Sequence, residues 1–110
     1  MISRKERTME EYVKVGAAIR LLKEVYPRAV VELSKILPAK DMRKFDSFQN
    51  ALMITSSLAE EQLYRDYPGL GHEGIHVFYG NLSEKERDEL DKKVRAEVKN
   101  QLAKILKEKN

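Results

Sequence analysis

The chain reads as all-α: a small helical bundle of three long helices, with one irregular connection at about 67–82. The first helix is kinked or split at Pro27, giving three to four helices in a single domain over residues 1–110. Three observations predict this. Apolar residues recur at steps of three and four through most of the chain, which is the period of one helix face. Two capping signatures, Thr8-x-x-Glu11 and Ser83-x-x-Glu86, stand at the heads of such runs. Four of the five glycines lie between Tyr67 and Ser83, which confines the non-helical backbone to one stretch.

The first helix should begin at Thr8, after a short, basic and frayed segment over residues 1–7. In a capping box each side chain meets the other residue's free backbone N–H. The apolar stripe runs Tyr12, Gly16, Ile19, Leu22, Tyr26, Val30, Leu33, Leu37. Its middle, VKVGAAIRLL, is apolar or small nearly all round, with Lys14 and Arg20 as interruptions. Such a helix is covered on more than one side. Gly16, Ala17 and Ala18 let a neighbouring backbone come close. Pro27 cannot donate to the carbonyl four residues back. The stripe keeps its phase across it, which favours a kinked continuous helix over two separate ones. Pro38 should end the helix, with Ile36 and Leu37 as its last core contacts.

Asp41 is the expected cap of the second helix, which runs to about Asp66. Phe45, Phe48, Leu52, Thr55, Ala59 and Leu63 form one stripe, and Ala51, Ile54 and Leu58 widen it. This reads as the central, best-buried helix, with Phe45 and Phe48 as its largest anchors. Glu60, Glu61 and Asp66 are expected to be exposed and to pair with Arg65 and other bases. The last helix should run from Ser83 to about Lys107, with Leu82 as a hydrophobic staple. Its early acids and later bases suit the helix dipole. Leu90, Val94, Val98, Leu102 and Ile105 make a narrow stripe that packs on one side only.

Charge and composition narrow the function. The net charge is +3, from 21 basic and 18 acidic residues, with the signs mixed along the chain. A nucleic-acid binder concentrates its bases on one face, so this balance argues against such a partner. The chain has no cysteine, which rules out disulfides and thiol nucleophiles and fits a reducing compartment. The first residues lack the apolar core of a secretory signal. No apolar run approaches the roughly 18 residues of a membrane span. A cytoplasmic protein with no membrane partner is the expectation.

Any chemistry should sit in Tyr67–Ser83, which reads YPGLGHEGIHVFYGNLS. His72-Glu73-Gly74-Ile75-His76 is a literal H-E-x-x-H and in that respect resembles the zinc-peptidase motif over five residues. The motif works when a helix puts both imidazoles on one face and the glutamate can activate a metal-bound water. Gly69, Gly71 and Gly74 disfavour that helix by about 1 kcal/mol each relative to alanine. A third ligand is unassigned, with Glu84, Glu86 and Glu89 as downstream candidates. Gly69-x-Gly71-x-x-Gly74 matches a dinucleotide fingerprint in letters, but it follows a helix, whereas the fingerprint follows a strand. Glu73-x-x-His76 matches a di-iron half-site, which needs a second copy on another helix.

Ile75, Val77, Phe78 and Tyr79 have the residue types of a strand. A lone strand must pair with another chain or pack as an apolar cover. The leading reading is a non-enzymatic protein–protein interaction or regulatory module, without cofactor, that acts as a homodimer. In it Ile75, Val77, Phe78 and Tyr79 are the contact residues. The alternative is a metal-dependent hydrolase with His72 and His76 holding zinc and Glu73 as general base. Association with nucleic acid is a third and weaker alternative.

Overall fold

The computed structural model describes residues 1–108 and contains helices and turns but no strand among them. Thr8 starts helix α1 (Met9–Ser34), its hydroxyl accepting from the Glu11 N–H at 3.3 Å. Glu11 turns its own carboxylate to Lys14 instead of closing the box. The residues before Thr8 are more ordered than expected. Arg4–Glu6 form a 3-10 turn, and Arg7 docks on Asp66 at the far end of the chain's second helix.

Helix α1 passes through Pro27 without a break, which agrees with the continuity of its apolar phase. Neighbouring Tyr26 secures this point. Its hydroxyl donates to the Phe45 carbonyl at 2.6 Å, and its ring packs on Phe45 and Phe48 at 4.9 and 5.2 Å between centroids. Aromatic pairs at such distances add about 0.5–1.5 kcal/mol beyond area burial. Helix α1 ends at Ser34, earlier than expected, and Ile36 stands 77% exposed. Ile36 and Leu37 are therefore not core contacts, because the chain has already turned away from the neighbouring helix.

Helix α2 (Ala39–Asp66) is capped by Pro38, whose extended backbone leads into it without a side-chain bond. Asp41 lies inside the first turn, near the positive end of the helix dipole, and is not the cap. Tyr26 meets Phe45 and Tyr12 meets Asp66, so α1 and α2 form an antiparallel hairpin. The expectation that α2 is the central helix fails. Helix α1 holds that place, packing against every other helix. Helix α2 buries Met42, Leu52, Ser56 and Leu63 against its neighbours. It leaves Ile54 57% and Leu58 59% exposed, and Phe48 is also exposed.

After α2 come a 3-10 turn at His72–Gly74, a single turn α3 (Ile75–Phe78) and helix α4 (Glu89–Glu108). The core joins Tyr12, Val13 and Ala17 of α1, Leu63 of α2, Val77 and Phe78 of α3, and Leu90, Val94 and Val98 of α4. Burying each such side chain is worth about 1.5–3 kcal/mol. Leu102 and Ile105 of the expected α4 stripe lie beyond this core and are exposed.

The Ser83–Glu86 capping box does not form, because α4 starts five residues later. Asp88 caps it, accepting the Asp91 N–H at 2.8 Å. The segment ahead is held out of the helix by Arg95, whose guanidinium donates to the carbonyls of Asn81, Leu82, Glu84 and Lys85. Leu82 still packs against the core.

The molecule measures 47 × 33 × 30 Å with a radius of gyration of 15.7 Å. A compact chain of this length has roughly 13 Å. The excess comes from the distal half of the α1–α2 hairpin, which projects beyond α3 and α4. Among the described residues no helix is long and apolar enough to cross a membrane.

Candidate functional site

The glycine-rich stretch folds as a helical cover over α1. Tyr64 donates to the Gly71 carbonyl at 2.8 Å. Gly74 lies directly against the Tyr64 hydroxyl and Leu70, where a Cβ would come within 2.6 Å. Residues 72–78 then run helically, where strand residue types led to an extended expectation. The reason is on α1. Gly16 offers so little bulk that a Cβ there would sit 2.2 Å from the Val77 carbonyl oxygen. The backbone of α3 rests in that gap and drives Val77 and Phe78 into the core, both at 0% exposure.

The carbonyls that a strand would have paired are met by cations from α1. Arg20 donates to His76 and Gly80 at 2.8 and 3.3 Å, and Lys23 to Phe78 at 3.1 Å. Of the four residues assigned to an interaction surface, Val77 and Phe78 are thus spent inside the monomer. Ile75 is 39% exposed, and Tyr79 is half-buried under the Lys23 ammonium at 3.9 Å.

The helical turn places His72 and His76 four residues apart. His72 is exposed, whereas the His76 Nδ1 is bonded to the Asp88 carboxylate. The Glu73 carboxylate accepts from the Gly71 N–H at 3.4 Å. Glu84, a candidate third ligand, is engaged with Asn81 and Arg87 at 3.0 and 2.5 Å. Among the described residues no three His, Cys, Asp or Glu side chains gather as a metal-ligand set. Asp88 was not singled out from sequence, and its role as the α4 cap is the signal that could have found it.

Two polar clusters join residues far apart in the chain. Arg20 is 2% exposed and pairs with Asp91, itself 1% exposed, at 2.5 Å. Asp91 also accepts the Arg87 N–H at 2.9 Å and lies 3.2 Å from Arg95. Burial pushes the Asp91 carboxyl up, but its bonds from Arg20, Arg87 and Arg95 outweigh this and hold it below the usual range. This cluster ties α1, the 76–80 segment and α4 together. Its signal in the sequence was Arg20, a charge inside an otherwise apolar helix face.

The second cluster pairs Asp66 with Arg7 at 2.7 Å and Tyr12 at 2.5 Å. Hydrogen bonds from Arg7 and then Tyr12 hold the Asp66 carboxyl far below the usual carboxylate range. Burial, with Asp66 beside it, pushes the Tyr12 phenol up to about 12. Asp66 thus pairs with a base, as expected, but its side chain is only 5% exposed, because Arg7 and Tyr12 close over it. Arg65 stands near Glu61 at 3.9 Å, an exposed and weak pair. Both clusters are structural staples; Arg7 and Tyr12 border a shallow apolar pocket with Ile2, Glu11 and Val15, and Arg95 borders another with Leu82 and Val98.

The remaining feature is apolar and exposed. On α1, Val15, Ala18, Leu22 and Val25 recur at steps of three and four on the side opposite Val13 and Ala17. On α2, Ala51, Ile54 and Leu58 lie opposite Leu52 and Leu63. No part of the described chain covers either stripe. In comparisons with protein-family models, curated proteins and solved structures, nothing matches this chain.

Proposed function

We propose that this chain is a non-enzymatic protein–protein interaction module that acts as a homodimer. One observation carries the reading: the hairpin leaves two helical stripes apolar and uncovered. Val15, Leu22 and Val25 of α1 are 40–49% exposed, and Ile54 and Leu58 of α2 are 57% and 59% exposed. Single exposed apolar residues are ordinary, but contiguous ones mark a surface that another molecule covers. The regular spacing of three and four is that of a helix packed on a second helix. A closed two-fold dimer satisfies such a face with the chain itself and is the commonest symmetric assembly. Sedimentation equilibrium at concentrations up to about 100 µM tests this. Twice the monomer mass supports the reading, and a strict monomer removes it.

A metal-dependent hydrolase remains the second reading, favoured by the helical course of residues 72–78. The helix puts His72 and His76 about one turn apart. Asp88 occupies the His76 Nδ1, which leaves Nε2 as the ligand atom, as in metal-bound histidines braced by a carboxylate. His72 and His76 would hold zinc, with Glu73 as general base. Zinc analysis of protein purified without a histidine tag decides it. Stoichiometric zinc that is lost on His72→Ala or His76→Ala supports a metal site, and no zinc after dialysis ends this reading.

A further inference from the structure

We infer that the second copy lies antiparallel along α2, with the two-fold axis crossing the helix between Leu52 and Met53. This rests on the self-association reading above and adds the seat and the register. Lys44, Ser47, Ala51, Ile54, Leu58 and Glu61 follow one another at steps of three and four, and all six are exposed. The mean step is the half-heptad of about 3.5 residues that keeps a seam on a facing helix. The seam is about 25 Å long at 1.5 Å per residue.

Its ends carry opposite charges and its middle is apolar. In the antiparallel arrangement Lys44 faces the partner's Glu61, Ser47 the partner's Leu58, and Ala51 the partner's Ile54. The two-fold axis repeats each pair. Each of these three pairings is therefore either a cation on an anion or a small side chain on a large one. A parallel arrangement puts Lys44 on Lys44 and Glu61 on Glu61, which is repulsive at both ends. Glu61 is free to change partners, because its own neighbour Arg65 is 3.9 Å away and both side chains are mostly exposed. Further out, Arg65 meets the partner's Lys40. That like-charge contact opposes the Lys44–Glu61 pair one turn inward, and salt screens both, since all four residues are exposed.

Charge exchange tests the register. The proteins are wild type, K44E, E61K, the double variant K44E/E61K and an equimolar mixture of the two single variants. Dissociation constants come from sedimentation equilibrium at low salt, with helical content checked by circular dichroism. Each single variant should dimerise about tenfold more weakly, since two symmetric pairs turn from attraction to repulsion. The double variant should return to within about threefold of wild type, and the mixture should associate more tightly than either single variant alone.

If wild type dimerises but the single variants keep its affinity, or the double variant fails to recover, the register is wrong while self-association stands. A monomeric wild type overturns both. Because the chain has no cysteine, A51C and I54C give a second readout. Mild oxidation should cross-link a mixture of the two more readily than either alone, and preferential self-linking of each would overturn the antiparallel seat.

Discussion

Asp91→Asn removes one charge from the interior while keeping the side chain's shape. The carboxylate lost is 1% exposed and bonds to an Arg20 side chain that is also 1% exposed. Arg20 would then hold a buried guanidinium facing carbonyls and an amide, with its counter-charge gone. Breaking a buried pair from one side costs about 3–5 kcal/mol, because the orphaned charge stays out of water. A domain of this size has about 5–15 kcal/mol in total. With a urea slope of about 1–3 kcal/mol per molar, the unfolding midpoint should fall by roughly 2 M. The assay is urea unfolding followed by circular dichroism at one fixed protein concentration, since association shifts apparent stability. A second variant isolates the cause. Removing both charges with Arg20→Met and Asp91→Leu should cost less than Asp91→Asn alone. The reasoning is refuted if Asp91→Asn stays within about 1 kcal/mol of wild type, or if the double variant is no more stable than the single one.

The other expectations concern packing and pH. Gly16→Ala puts a Cβ 2.2 Å from the Val77 carbonyl oxygen, so α3 must lift off α1. The loss should be about 1–3 kcal/mol. Gly69→Ala, with nothing within 4 Å, should leave the melting temperature near wild type and serves as the control. The depressed carboxyls of Asp66 and Asp91 stabilise the fold fully above about pH 4, the unfolded value. That stability is lost as pH falls through their lower folded values, so Asp66→Asn should flatten the acid limb of a stability–pH curve. At the alkaline end the Tyr12 contribution is lost as pH rises from the ordinary tyrosine value of 10.0 to about 12. Tyr12→Phe should remove that dependence, as read from urea midpoints across the range.

Features set within a few residues were legible in the sequence. Thr8 caps α1 because the N–H that it accepts is three residues away. The phase of the apolar stripe across Pro27 was a sound guide to one continuous helix. Features set by distant partners were not. Ser83 and Glu86 had the spacing of a cap, but Arg95 takes the carbonyls of that segment from further along the chain. Ile75–Phe78 has strand-forming residues, yet a short apolar run reports burial more reliably than backbone course. The gap at Gly16 and the cations Arg20 and Lys23 make it helical. Arg20 was visible as an interruption, but Asp91 lies 71 residues away. For α2, periodicity identified an apolar face and could not say that, among the described residues, none covers its Ala51, Ile54 and Leu58 side.

That uncovered face is the centre of the functional account. The most direct measurement is the solution mass of wild type beside Ile54→Glu/Leu58→Glu, both sites being more than half exposed in the monomer. The account predicts twice the monomer mass for wild type and the monomer mass for the variant, with helical circular dichroism unchanged. A variant that remains dimeric, or a wild type that is monomeric at about 100 µM, would contradict it.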